Sequence, residues 1–360
     1  MTAQFFKYMK RYLLVIIVVL AFLSLSVFPG RAQVVSHHPE KINCSGWSLM
    51  SFKTNSNHSK VIEWSDTIVK VHGDYQTTVV FNYNSNGYLI SKKVISKDGE
   101  GVYKSKCIDY YYNNGHCVKV VSIDCLKDPV IPEKYVFYTY KDQMMDKSYT
   151  FFYENGKESL YECKTFEYDA LKRLIYVGSY RGANGPILSL DEQKNYFYDS
   201  YGRIACVIDN LLFHRRIDHL TYSYDSQNRI NKLFDIGYKY AVLDNIGDDF
   251  SFNYKIEDNG SSVSHSFNHS FKYDGQGHLV AVFREGDANR GEFEYDGKGR
   301  LTHMTLHSSM FYDIRYGRNS KTPTNAYLVL PVVSHNAFGI INNKISVFDD
   351  TKNLETVDND

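Results

Sequence analysis

The 360-residue sequence predicts an all-β fold: a long antiparallel β-meander of repeated hairpins forming a curved or spiralling open sheet, a β-wrap. Three observations carry this. A nine-residue pattern recurs, as FKYDGQGHL at 271–279 and FEYDGKGRL at 293–301, and self-similarity along a chain marks a repeat architecture. Aromatic residues make up 15%, with 31 Tyr and only 7 Pro, which suits pleated, half-buried surfaces. Between the copies lie Gly- and Asn-rich clusters of the kind that reverse a chain.

Residues 1–32 read as a secretory signal peptide. Lys7, Lys10 and Arg11 precede an apolar run from Leu13 to Phe28, and Gly30 and Ala32 are small residues placed for cleavage after Ala32. Ser24 and Ser26 interrupt that run, and it is shorter than the roughly 20 apolar residues that span a bilayer. The expected mature chain is exported, to the periplasm, the cell surface or the medium. Loss of the four leader cations leaves 37 basic against 41 acidic side chains, a net charge of −4. That argues against nucleic acid as a partner, because phosphate binding needs concentrated positive surface. Residues 33–75, with INCSGWSLMSF and VIEWSDTIVKVHG, alternate as strands that begin or cap the wrap.

Residues 76–335 hold the repeat. Its copies are FNYNSNGYL (81–89), YYYNNGHCV (110–118), FEYDALKRL (166–174), YFYDSYGRI (196–204), YSYDSQNRI (222–230) and the two quoted above, with YTYKDQMM (138–145) as a worn copy. In Tyr295-Asp296-Gly297-Lys298-Gly299-Arg300-Leu301, Asp opens a type I turn and accepts a backbone N–H two residues on. Gly three residues later takes the left-handed position that completes a three-residue hairpin loop with a bulge. Asn228 and Lys172 stand there in two copies, and Lys172 costs about 1 kcal/mol relative to Gly. Asn114-Gly115 predicts a two-residue type I′ turn instead.

This register pairs Tyr with the aliphatic residue, as in Tyr83–Leu89 or Tyr224–Ile230, on a candidate core face, and places Asp169–Arg173, Asp199–Arg203 and Asp225–Arg229 on the other. It sets Cys107 against Ser122, Cys163 against Ser179 and Cys206 against Tyr196, so no hairpin supplies its own disulfide. The six cysteines (44, 107, 117, 125, 163, 206) are compatible with disulfides in an exported chain and equally with buried thiols. Residues 336–360, ending DDTKNLETVDND, read as a C-terminal cap and frayed acidic tail.

Chemistry is sparse. His265 with His269, and His303 with His307, each share a strand face as metal ligands would, but two strands separate the pairs, so they read as surface histidines. The turn aspartates lack the flanking acceptors of a calcium cage. The Arg173, Arg203, Arg229 and Arg300 side chains could stack with Tyr on sugars or anions, yet the register puts the two sets on opposite faces. No His-Glu-x-x-His, Gly-x-Ser-x-Gly or phosphate loop is present. No catalytic, cofactor or metal residue is assigned, and no cofactor is expected.

The Tyr-Asp-x-x-Gly-Arg-Leu pattern, from Phe81 to Leu301, resembles the YD repeat of RHS and teneurin wrap proteins, in particular small bacterial secreted members with a porin-like curved sheet. The resemblance implies a spiralling antiparallel β-wrap serving as a shell or cell-contact surface. The chain is far shorter than the large RHS shells that enclose a toxin domain. The expected function is a non-catalytic secreted scaffold for adhesion or ligand binding, its partner a glycan or other cell-surface ligand, without stable membrane insertion. An outer-membrane β-barrel and a carboxylate hydrolase are the alternatives.

Overall fold

The computed structural model describes residues 39–44, 61–127, 132–154, 156–182, 187–239, 241–246, 252–256, 263–286, 290–306, 310–317, 340–341 and 344–345. The expected signal peptide, residues 1–32, and the expected acidic tail lie outside the described residues. Described strands run in chain order as β1 (Lys41–Asn43), β2 (Trp64–His72), β3 (Tyr75–Tyr83), β4 (Leu89–Asp98), β5 (Gly101–Asn113), β6 (His116–Asp124), β7 (Pro132–Lys141) and β8 (Met144–Glu154). They continue as β9 (Lys157–Tyr168), β10 (Leu174–Arg181), β11 (Ile187–Tyr198), β12 (Ile204–Leu211), β13 (Arg216–Tyr224), β14 (Ile230–Lys239), β15 (Ala241–Ile246) and β16 (Phe252–Ile256). The rest are β17 (Val263–Tyr273), β18 (Leu279–Arg284), β19 (Arg290–Tyr295), β20 (Leu301–Leu306), β21 (Met310–Arg315), β22 (Ile340–Ile341) and β23 (Lys344–Ile345). No helix occurs among the described residues.

From β2 to β14, and from β17 to β21, each strand pairs antiparallel with the next, and β14 pairs with β17. β15 and β16 form a separate two-stranded sheet, an insertion that accounts for the long gap between Tyr224 and Tyr273. The chain divides into two compact units, and Leu243–Tyr254 belongs to the smaller one. β1 extends the wall by pairing with β11 at Lys41↔Ser189, Ile42↔Leu188 and Asn43↔Ile187.

The meander of hairpins is as expected, but the sheet is not open. β21 returns to β2 over six register pairs, from Thr67↔Arg315 to His72↔Met310, closing a ring of 18 strands. Beyond these pairs the Gly317 amide donates to Asp66 Oδ1 at 3.0 Å. A Cβ at Gly317 would lie 2.6 Å from the Ser65 carbonyl oxygen, so only glycine lets the two backbones meet there.

Closure follows from a device in every repeat. Tyr83↔Leu89, Tyr112↔Cys117, Tyr140↔Met145, Tyr168↔Leu174, Tyr198↔Ile204, Tyr224↔Ile230, Tyr273↔Leu279 and Tyr295↔Leu301 are register partners, as the sequence pattern requires where it is complete. Immediately after each, one residue on the second strand is skipped: Ile90, Val118, Asp146, Ile175, Ala205, Asn231, Val280 or Thr302. A bulge of this kind bends the strand and increases its twist, and one bulge per hairpin accumulates the curvature that an open sheet lacks. The same bulge moves the cysteines one place from their expected partners. Cys107 faces Ile123, Cys163 faces Tyr180 and Cys206 faces Phe197.

The bulge also holds the next hairpin off. Each following ladder starts two residues beyond the aliphatic position, at Ser91, Lys119, Lys147, Tyr176, Cys206, Lys232, Ala281 and His303. The carbonyl left outside that ladder receives a tyrosine hydroxyl from the next repeat. Tyr112 donates to the Leu89 carbonyl at 2.8 Å, Tyr140 to Cys117 at 2.7 Å, Tyr198 to Leu174 at 2.8 Å and Tyr224 to Ile204 at 2.7 Å. Tyr273, Tyr295 and Tyr316 repeat this on Ile230, Leu279 and Leu301 at 2.8, 2.9 and 2.8 Å, and Tyr168 bonds to the Met145 backbone.

One face of the sheet is buried or half-buried all round the ring, and in a closed ring that face is the inner one. It carries Trp64, Ile68, Val79, Phe81 and Tyr83, then Ile108 and Tyr110, then Phe166, Tyr196, Val207, Leu220 and Leu233, then Val282, Phe293, Met304 and Tyr312. Over β8 to β13 the outer face is buried too, at Tyr149, Phe151, Cys163, Tyr180, Cys206, Ile208 and Ile217.

Replacing Tyr224 by Phe keeps the ring in place but strands the Ile204 carbonyl, and should lower stability by about 0.5–1.5 kcal/mol in urea unfolding. Lys172→Gly should raise it by up to about 1 kcal/mol, because Lys172 sits at φ 62°. Gly202→Ala at φ 77° should act in the opposite direction to Lys172→Gly.

Candidate functional site

Two sets of side chains could carry function: the turns at one rim of the ring and a charged band on its inner wall. At the rim, Asp296 Oδ1 accepts the amides of Lys298 and Arg300, both at 2.9 Å, while Oδ2 takes Arg300 Nε at 2.8 Å and Nη2 at 2.7 Å. The Gly299 amide closes the type I turn on the Asp296 carbonyl at 2.8 Å. Asp169–Arg173, Asp199–Arg203 and Asp225–Arg229 reproduce the set, and His278 replaces Arg opposite Asp274. The backbone amide of Arg229, followed by its guanidinium, holds Asp225 below the usual carboxylate range, and Arg300 does the same for Asp296. These carboxylates are filled by N–H donors.

The separation of Arg from Tyr expected from the hairpin register is overturned across repeats. Each Arg lies over the tyrosine of the following copy: Arg173 on Tyr198 at 4.4 Å, Arg203 on Tyr224 at 4.3 Å, Arg229 on Tyr273 at 4.3 Å and Arg300 on Tyr316 at 4.4 Å. In three of the four copies without Arg an aromatic ring takes its place, with His278 on Tyr295, His116 on Tyr140 and Tyr88 on Tyr112 at 4.7, 4.6 and 4.9 Å, while Met144 stands there in the fourth. Trp64 stacks on Tyr83 at 5.2 Å. A hairpin register compares the two strands of one copy, whereas this contact joins one copy to the next. Burial raises Tyr198, Tyr273, Tyr295 and Tyr316 to about 12, so each hydroxyl keeps its proton and remains a donor.

The second set lies on the inner face, farther from this rim. Lys194, Asp209, Asp218, Gly237 and His265 are successive register partners across β11, β12, β13, β14 and β17. Asp209 and Asp218 face each other directly and both are fully buried. Opposed like charges are unfavourable and buried ones are tolerated only when paired, and each has its cation. Lys194 Nζ lies 3.1 Å from Asp209 Oδ2 and 2.9 Å from Glu192 Oε1, and Arg216 Nε lies 2.8 Å from Asp218 Oδ1. Asp235, also fully buried, meets His265 Nε2 at 3.0 Å. Gly237 makes that contact possible, since a Cβ there would fall 2.2 Å from His265 Cε1.

His265 and His269 therefore differ from the surface residues expected. His269 is buried, and burial lowers its pKa. His265 packs on Phe267 at 5.3 Å and against Asp235. His303, three strands farther round on β20, stays at the surface as expected, on the outer face with Asp313 Oδ1 of β21 at 2.8 Å, and His307 lies outside the described residues. Among the described residues, no group of three or more His, Cys, Asp or Glu is placed to hold a metal. The sequence reading missed Asp209, Asp218 and Asp235. Their signal was an acid at an apolar-face position of a strand, in VIDN, RIDHL and LFDIG.

A closed antiparallel ring with a Tyr-Asp turn, replaced by Tyr-Asn or Tyr-Lys in the first three copies, recurring along one rim defines a YD-repeat shell. The teneurin YD-shell family model matches residues 146–327, and the chain belongs to that family, one of structural shells. No curated protein matches it in sequence. Among solved structures it is similar to a porin-like protein from Bacteroides uniformis, at 10% identity and a TM-score of 0.39, covering 71% of this chain and 97% of that one. It is also similar to TcdB2-TccC3-TEV, at 10% identity and TM-score 0.22, covering 64% of this chain. The Photorhabdus luminescens Tc holotoxin pore carrying TccC3-D651A is similar at 11% identity and TM-score 0.23, covering 63%. The matches span only 16% and 15% of those two chains.

Burial lowers His219 to about 4 and lowers His269 as well, so the unfolded chain binds more protons than the folded one below about pH 6.5. Stability should be fully present above that pH and fall as pH drops toward 4, with His219 contributing on the order of 3 kcal/mol. His219→Gln should flatten, without abolishing, that slope in urea unfolding at stepped pH.

Proposed function

We propose that the protein is an exported, non-catalytic shell that binds a glycan or other cell-surface ligand and stays outside the bilayer. One observation supports this most. The recurring Asp, Arg and Tyr, the side chains in the repeat able to do chemistry, are engaged in turns and in stacking between copies. What two neighbouring turns leave outside is apolar and aromatic: Leu171 is 73% exposed and Tyr201 80%. Tyr201 has Arg203 over its ring at 4.8 Å. An exposed ring backed by a guanidinium is a stacking platform for a sugar. The Arg203 guanidinium, held by Asp199, fixes the ring without presenting a nucleophile.

A closed ring with an even number of strands also fits an outer-membrane barrel. Its outward side chains speak against that reading. Lys93, Lys97, Glu167, Lys232, Lys272 and Glu294 are exposed within strands, and each Lys on a lipid-facing surface costs about 2–4 kcal/mol at the bilayer midplane.

Mature protein should be released without detergent and should bind in a screen of glycans and cell-wall material. Tyr201→Ala should weaken the selected ligand at least tenfold while leaving the unfolding midpoint unchanged. Failure against every surface, or release by detergent alone, would contradict the proposal.

A further inference from the structure

The structure places four of the six cysteines in two pairs, and we infer that these are disulfide sites, Cys107–Cys125 and Cys44–Cys163. The inference rests on the proposed export for its oxidising environment, and on geometry for its pairing.

Cys107 lies on β5, and Cys125 directly follows β6. The Cys125 amide donates to the Ser105 carbonyl at 2.7 Å, so the ladder continues past β6 and Cys125 stands diagonal to Cys107. Their sulfurs are 2.6 Å apart, inside van der Waals contact. The expectation that no hairpin holds its own pair considered only residues directly opposite, and a diagonal pair escapes that test.

Cys44 follows β1, a three-residue strand held by three register pairs to β11. Its thiol turns onto Cys163 of β9, which lies in a row with Phe137, Tyr149 and Tyr180. The two thiols are hydrogen-bonded, which lowers Cys44 to about 7 and raises Cys163. Both are buried. The pair links a chain end that three ladder positions hold weakly to the body of the ring, enclosing residues 45–162. A link across so long a loop removes more unfolded-state freedom than the short Cys107–Cys125 loop. Cys117 on β6 and Cys206 on β12 lie on strands far apart in the ring order and remain thiols.

Each bond forms by thiol–disulfide exchange with a disulfide-bearing oxidoreductase or a small-molecule disulfide. One cysteine thiolate attacks the oxidant disulfide and expels one of its sulfurs as a thiolate. The second cysteine thiolate then attacks the mixed disulfide, closing the bond and releasing the other sulfur. The two electrons and two protons of the cysteines end on the oxidant, as two thiols.

The test is full-chain protein refolded in a buffer of reduced and oxidised glutathione, alkylated without reduction, digested and mapped by mass spectrometry. The expected result is two linked peptide pairs, 44 with 163 and 107 with 125, with Cys117 and Cys206 alkylated only after unfolding. Reduction should speed amide exchange of Lys41–Asn43 at least tenfold, and Cys163→Ser should do the same without reductant. Other pairings, or four alkylated thiols in folded protein, would overturn the inference. Export is read separately, from the mature N-terminus of protein collected outside the cytoplasm, so correct pairing in refolded protein with a retained leader would sink the export reading alone.

Discussion

The structure depends on a tyrosine hydroxyl that reaches one repeat back to a carbonyl which the β-bulge has pulled out of its ladder. The bulge supplies curvature, and curvature alone would leave a gap between successive hairpins at the rim. A carbonyl facing that gap in a half-buried setting needs a donor. Phe could fill the space but not make the bond. The Arg or His that precedes the aliphatic residue then covers the outer side of the same ring, so a single tyrosine joins its own hairpin to the preceding one by a hydrogen bond and by stacking. Each contact is worth about a kcal/mol, and their sum is delivered only if every hairpin is in register. The aspartates act one step earlier, in fixing the turn that aims the Arg.

The inner wall solves a different problem. Apolar residues line it near the Tyr-Asp rim, while Lys194, Asp209, Asp218, Asp235 and His265 form a buried band farther in. Four buried acids, counting Glu192, would be untenable alone. Lys194 bridges two of them, Arg216 holds the third and His265 the fourth. Such a network adds little net stability over apolar packing, but it penalises a shifted strand, because slipping β12 by one residue would move Asp209 to the other face and leave Lys194 without it. Gly237 belongs to the same band by making room for the His265 ring.

Much of this was legible in the sequence, and the boundary is physical. The turn type, the Tyr–aliphatic partners and even the left-handed Lys172 and Asn228 are local consequences of nine residues, so the chain displays them directly. The bulge after the turn was legible in kind but its position shifted the cysteine partners by one, because the residue that is skipped carries no signature: Ile, Val, Asp, Ala, Asn and Thr all occur there. Contacts between copies, such as Arg203 on Tyr224, and the seam between β2 and β21 depend on curvature summed over many hairpins, which no single window contains. The same holds for His269, which reads as one of several alternating histidines until the ring turns its face inward.

Closure at the seam is the claim on which the rest stands, and amide hydrogen exchange resolved to β2 and β21 tests it most directly. In a closed ring the amides of Thr67–His72 that point toward Phe311–Arg315 exchange as slowly as those in the middle of β12 and β13. Exchange of that row at the rate of a free strand edge, with protection intact on the β3 side of β2, would show an open sheet and contradict the account.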